Sequence, residues 1–316
     1  MNRCGLLMAV LLTAGAAVAA AQDLDTNYQG LRDAVAKGSK DAAAKQDAAY
    51  KEDVETIKKL AAETSAMARQ EIAKPEETDP DALKKRLDDL RAIDTYAEYA
   101  LYATAAQSDA PVMVDLIATL EKQNPKSKYL DLGYGPYLAA LAKAGSAAKI
   151  PEIADKALAN FPGNPYLLDP LARNAASHGQ NDRTIAYSIR IIALWNSHPK
   201  PPEGMSEAEW NRERDATLGP SYYMAGMSYA ATSRWVDADK NLRAALPYAK
   251  GSSTNYAAAL LNLGIANYQY GKMTMNKARI LEGAKFSEQC AGIQGSMAQE
   301  AWHNAQAMKA EADRMR

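Results

Sequence analysis

The chain has 316 residues, a formal net charge of −1 and 24% charged residues. It therefore lacks the basic excess that nucleic acid attracts, and no lysine or arginine block marks a membrane surface. Helix formers (Ala, Leu, Lys, Glu, Met) dominate, only two Phe occur and alternating β-branched runs are missing, which leaves an all-α class.

Residues 1–21 have the order of a secretory signal: Arg3, an apolar core from Gly5 to Val18, and the small residues Ala19, Ala20 and Ala21. Cleavage after Ala21 is expected. The core is shorter than the roughly 20 apolar residues of a stable membrane anchor, so no stable span is expected in the mature chain. Cys4 precedes the apolar core, which excludes a lipid-anchored cysteine. Loss of Arg3 and Cys4 leaves 36 basic against 38 acidic residues and a single thiol, Cys290. An internal disulfide is then impossible, and Cys290 is expected to be a buried, inert thiol.

From Lys40 to Ala73 the apolar residues Tyr50, Val54, Ile57, Leu60, Ala61, Met67, Ala68 and Ile72 recur largely at steps of three and four, predicting one long helix capped by Ser39 and ended before Pro75. Asp79-Pro80 pairs an N-cap with proline at the first helical position and opens a helix to about Ala106. Shorter helices follow: Ala110 to Asn124, Lys128 to Lys143, Pro151 to just before Phe161, Pro165 to Ser177 and Asp182 to Trp195. Their boundaries carry Gly, Pro, Asn, Asp or Ser. Pro170 is a local misfit, and the helix around it could begin there instead. Lys200 to Gly204 reads as a longer linker, and Ser206 with Glu209 as a capping box. Further helices are expected over Ser221–Thr232, Val236–Lys250 and Asn255–Tyr270, then one ending near Cys290 and one over Met297–Arg314.

Pro125, Pro162 and Pro199 lie 37 residues apart, each just past a helix, and Gly145 and Gly179 fall at turns between successive helices. Helix pairs this short cannot bury their apolar faces alone and must stack on neighbours. One pair carries Tyr222, Ala225-Gly226, Tyr229, Ala238, Leu242 and Ala245. A second has Leu260, Leu263-Gly264 and Gly271, with Asn267 in place of an aromatic and Ala278 two residues late. Weaker copies place Ala157-Leu158 before Pro162 and Leu171-Ala172 before Gly179.

On these residues the chain resembles the tetratricopeptide-repeat family over Tyr96 to Arg316, although its spacing of 37 or 38 exceeds the family's 34. The resemblance implies a right-handed superhelical solenoid of antiparallel helix pairs. It organises the chain as a signal (1–21), an N-terminal helical region (22–106), degenerate helix pairs (107–200) and C-terminal repeats (201–316). In that family the first helix of each pair lines a concave groove. By that resemblance Tyr223, Met227, Ile265, Tyr268, Gln269, Arg173 and Lys143 face it.

Signals for chemistry fail one by one. His178, His198 and His303 are isolated from each other and from any cysteine partner, and are read as exposed or capping residues. Gly264 to Lys272 lacks the glycine spacing and hydroxyl of a phosphate loop. Ser146 and Lys149 match S-x-x-K without its companion elements. Asp23, Asp25 and Asn27 begin like a calcium loop, but Tyr28 and Ala34 stand where glycine and glutamate are required. Asp88 and Asp89 read as solvated. Tyr96, Tyr99 and Tyr102 recur at helical spacing, as do Tyr134 and Tyr137. The expectation is an exported scaffold, not an enzyme and without a cofactor, that holds a protein or peptide. The alternatives are a self-assembling homo-oligomer using the long Lys40–Ala73 helix, or a cell-wall enzyme with an unrecognised site.

Overall fold

The computed structural model describes residues 4–43, 47–198, 200–201 and 206–315, with side chains from residue 23 onward except at 43 and 47. The described residues form thirteen α-helices and one short 3-10 turn, with no strand among them. They divide into two compact units, Met1–Ile150 and Pro151–Arg316.

The first unit holds α1 (Cys4–Ala43), α2 (Asp47–Ala73), α3 (Pro80–Ala106), α4 (Ala110–Gln123) and α5 (Lys128–Lys143). Each helix packs on the next in chain order, and α1 and α5 also touch α3. Leu24, Leu31, Ile57, Leu90, Leu101, Leu116, Leu120 and Leu130 are buried completely or nearly so and form its interior. The Asp79 side chain accepts from the backbone N–H groups of Asp81 and Ala82, as the Asp-Pro pair predicts. The signal-peptide reading falls on residues 1–21, where residues 1–3 and all side chains lie outside the described residues.

The start of the long second helix differs from expectation. Ser39 caps nothing, because α1 runs through it to Ala43, and α2 begins at Asp47. Gly38 is buried against α2, where an added Cβ would lie 3.3 Å from Ile57 Cδ1. That close packing, with the Lys37–Asp53 ion pair beside it, carries the helix through a Gly-Ser pair that local propensity would break.

The second unit holds α6 (Ile150–Leu158) from its second residue onward, α7 (Pro165–Ser177), α8 (Asn181–Ser197), α9 (Glu207–Ala231), α10 (Trp235–Ala249), α11 (Ser253–Met273), α12 (Lys277–Ala291) and α13 (Ala298–Arg314). From α7 onward each helix packs on its successor. In addition α7 touches α9, α9 touches α11 and α11 touches α13, so the odd-numbered helices form a continuous layer. The capping box is present: the Ser206 hydroxyl accepts from Glu209 N–H while the Glu209 carboxylate accepts from Ser206 N–H. Of the linker Lys200–Gly204, residues 202–204 lie outside the described residues, as does Pro199.

The helix expected to start at Ser221 instead begins at Glu207 and passes through Pro220 without a break. Burial of Leu218, Gly219 and Ser221 around the proline holds it. Pro170 likewise sits inside α7, which begins at Pro165.

Four of the turns share one device. Gly145, Gly179, Ser233 and Met275 all have positive φ, between 53° and 74°. After each, a backbone N–H reaches five residues back: Ser146 to Leu141, Gln180 to Ala175, Arg234 to Tyr229 and Asn276 to Gly271, at 2.8–2.9 Å. This is the Schellman closure, in which a left-handed residue lets the chain reverse and satisfies orphaned carbonyls at the helix end. Glycine takes that conformation freely; Ser233 and Met275 hold it under steric cost.

Candidate functional site

The first repeat motif is assembled as its spacing predicts. Ala225, Tyr229, Ala238 and Leu242 are buried together between α9 and α10, joined by Leu263 and Ala266 of α11. Gly226 is the point of closest approach, since a Cβ there would lie 2.7 Å from Leu242 Cγ. In the second motif Leu260, Leu263 and Gly264 are buried on α11, but Ala278 is exposed and fills no gap. The packing positions are Ile280 and Gly283, each 38 residues beyond Leu242 and Ala245. An added Cβ at Gly271 would lie 2.7 Å from Ile280 Cγ1, and one at Gly283 would lie 2.6 Å from the Gly264 carbonyl oxygen.

Asn267, where the motif expects an aromatic ring, is fully buried and polar. Its amide nitrogen donates to Asp239 at 2.6 Å, and its oxygen accepts from Arg279 at 3.1 Å. Arg243 adds an ion pair to Glu282 at 2.6 Å and lies over the Phe286 ring. Three helices are thus tied by a satisfied polar network where the other motif uses a tyrosine.

Beside these pairs, α7, α9, α10 and α11 enclose a cavity of about 420 Å³. Of the residues assigned to the groove from sequence, the cavity brings together Arg173 and Tyr223. Tyr223 is half-buried and its oxygen accepts from Asn262 Nδ2 at 3.2 Å. Burial pushes its hydroxyl above the usual phenol range, so it keeps an O–H to donate. Arg173 is exposed and paired with Asp169 one helical turn back, at 2.8 Å.

The remaining walls were not foreseen. Tyr248 stacks on Tyr222 with ring centroids 6.2 Å apart, and Met224, Asp215 and Asn255 complete the rim. Pro220 has no N–H, so the Ala216 carbonyl lacks its usual helical donor, and both residues line the cavity. The signal for this was present in the sequence as a proline in a helix interior.

The other assigned residues lie elsewhere. Met227 packs on the α9–α10 core and Ile265 on the cluster around Cys290. Tyr268 packs between α12 and α13, with its hydroxyl on Glu311, and Gln269 follows it on α11, half-buried. None of these four lines the cavity. Lys143 is exposed at the end of α5, in the first unit.

Groups with reactive potential have structural duties. His178 and His198 occupy helix C-caps, with Nδ1 at 2.8 and 2.9 Å from the carbonyls of Asn174 and Leu194. His303 lies edge-on to Trp302. Cys290 is free and fully buried, and burial raises its thiol pKa, which disfavours the reactive thiolate. Ser146 leads into the 3-10 turn at Ala147–Lys149, and Asp88 pairs with Arg91 at 3.0 Å. Among the described residues no group of three or more His, Cys, Asp or Glu is placed to hold a metal ion, and no helix is long and apolar enough to cross a membrane.

No protein-family model matches this chain, and no curated protein matches it.

Proposed function

We propose that the chain is an exported, tetratricopeptide-like scaffold whose C-terminal unit holds a protein or peptide segment without catalysis. The observation that carries the reading is the cavity beside the α9–α10 pair. It gathers tyrosine rings and an arginine on four packed helices. Tyrosine supplies large contact area and a hydroxyl at low entropic cost. The repeat reading is supported by the 38-residue correspondence between two helix pairs, by the recurring Schellman turns and by the layer of odd-numbered helices.

Panning a random peptide library on the mature chain tests the site. Enriched peptides are expected to bind about tenfold more weakly to Tyr223→Ala and Tyr248→Ala, the range of a moderate binding hot spot. Tyr268→Ala should leave peptide affinity unchanged while loosening α13. If enriched peptides bind both cavity variants as tightly as the parent, the cavity is not the site.

Export rests on the arrangement of Arg3, the apolar core and Ala19–Ala21. Expression of the full chain in a bacterial host with Edman sequencing of the envelope fraction should give a terminus at Gln22. Recovery of the chain only in the cytoplasm with Met1 or Asn2 at its terminus would refute export.

A further inference from the structure

The helical tyrosine series of the first unit is not used by the reading above, and it forms a connected surface. Tyr28 of α1 meets Tyr96 of α3 edge-on at 5.4 Å, Tyr96 meets Tyr99 at 5.9 Å, and Tyr99 meets Tyr129 of α5 at 5.6 Å. Tyr102 stacks behind Tyr129 at 5.7 Å and fixes its plane. Tyr99 is 41% exposed, and a shallow cavity of about 490 Å³ is lined by Tyr96, Tyr99 and Tyr129 together with Arg91, Ala92 and Thr95. We propose that this tyrosine row is a second binding site, for a proline-rich peptide in the polyproline II conformation with an acidic residue at its end.

Three features select that ligand. The polar groups lining the cavity are a guanidinium, a threonine hydroxyl and phenols, with no carboxylate or carboxamide among them. Thr95 gives its hydroxyl hydrogen to the Arg91 carbonyl at 2.7 Å and Arg91 pairs with Asp88 at 3.0 Å, so the phenol hydroxyls are the donors this lining offers first, and polyproline is a ligand of carbonyl acceptors with no N–H of its own. Burial raises the Tyr96 hydroxyl above the usual phenol range, which keeps it a donor.

The ring geometry agrees. Tyr96 and Tyr99 are inclined by 50°, and Tyr99 and Tyr129 by 55°. Inclined neighbours make V-shaped clefts that accept the edge of a pyrrolidine ring, where a pyranose face would need a flat floor. Each step between neighbouring rings, 5.4 to 5.9 Å, spans about two residues of a polyproline helix rising ~3.1 Å per residue. Such a helix is preformed, so a shallow surface can hold it with little ordering cost.

Charge sets the flank. Arg32 lies over Tyr28 at 5.8 Å and Lys128 over Tyr129 at 5.1 Å, placing a cation at each end of the row. Both ends thus favour an acidic residue on the peptide.

The test is calorimetric titration of the mature full chain with acetyl-PPPPPPEE-amide. Comparison titrations use acetyl-GSGSGSEE-amide and a β-1,4-linked N-acetylglucosamine tetramer. Saturable binding of the proline peptide is expected, with affinity about tenfold lower in Tyr99→Ala. Ala92→Arg, which fills the cavity from an exposed position, should give a similar loss, and both variants should melt as the parent does. Tyr223→Ala should bind the proline peptide normally, since its cavity belongs to the other unit. The inference fails if no saturation is seen or if the Gly-Ser peptide binds as well. It also fails if the sugar alone binds, or if Tyr99→Ala and Ala92→Arg bind unchanged. Loss of binding in Tyr223→Ala with Tyr99→Ala unaffected would assign the peptide to the C-terminal cavity and overturn this site.

Discussion

Gly283→Ala is expected to destabilise the second unit by about 3 kcal/mol, the upper part of the range for overpacking a close-fitted core. The methyl group would sit 2.6 Å from the Gly264 carbonyl oxygen and 3.0 Å from the Tyr268 nitrogen. Both are backbone atoms of α11, so no side chain can turn aside, and the two helices must separate. Alanine's higher helix propensity returns roughly 1 kcal/mol at most, which is smaller than the packing loss. Urea unfolding should show the midpoint falling by about 1–2 M at a typical slope for a domain of this size.

Two other glycines separate packing from conformation. Gly251→Ala meets nothing within 4 Å and its φ is not positive, so it should be near neutral. Gly145→Ala also meets nothing, but its φ of +74° should cost about 1 kcal/mol. A Gly283→Ala variant as stable as Gly251→Ala would mean that α11 and α12 do not approach through these glycines.

The same glycines show how much the chain discloses before folding. Gly226 and Gly264 follow a leucine or alanine at a recognisable spacing, so their packing role is legible. Gly283 follows no local rule; its role comes from Gly264 across the interface, and Ala278 was the closer match to a linear pattern. Helix ends were legible where one residue type carries the physics, as at Asp79-Pro80, Gly145, Gly179 and Ser206–Glu209. They were misread at Ser39 and Pro220, where tertiary burial overrides the local preference for a break.

The candidate site divides the same way. Arg173 and Tyr223 could be placed by analogy of position along the first helix of a pair. Tyr268 could not, because α13 covers that part of α11, and a covering helix is invisible in the register of the helix it covers. Tyr248 reaches the cavity from a second helix of a pair, through the space Gly219 leaves open: a Cβ on Gly219 would lie 2.5 Å from Tyr248 Cβ. The tyrosine row of the first unit was visible as a periodicity, yet its members on α1 and α5 came together only in three dimensions.

Arg69 provides the corresponding test in the first unit, where a charge network replaces small-residue packing. From α2 its guanidinium donates to Asp94 at 2.9 Å, to Glu98 at 3.3 Å and to the Gln123 carbonyl at the end of α4. Glu98 is only 6% exposed and also accepts from Asn124 at 2.6 Å. The cation therefore bridges two carboxylates on α3 and faces the negative end of the α4 dipole. Arg69→Met keeps the aliphatic stem but leaves a buried carboxylate without its cation. Breaking a buried pair from one side costs about 3–5 kcal/mol. The Arg69 side chain is 39% exposed, so solvent screens part of that loss, and about 2 kcal/mol is expected.

Glu98→Gln in the Arg69→Met background should recover part of the loss, because the neutral amide no longer needs the cation. A double-mutant cycle by urea unfolding at neutral pH should give a coupling of about 1–2 kcal/mol between the two positions. Strict additivity would show that Arg69 stabilises the unit through Asp94 and the α4 carboxyl end alone. In that case the coupling should reappear in the cycle of Arg69→Met with Asp94→Asn, which leaves Glu98 untouched.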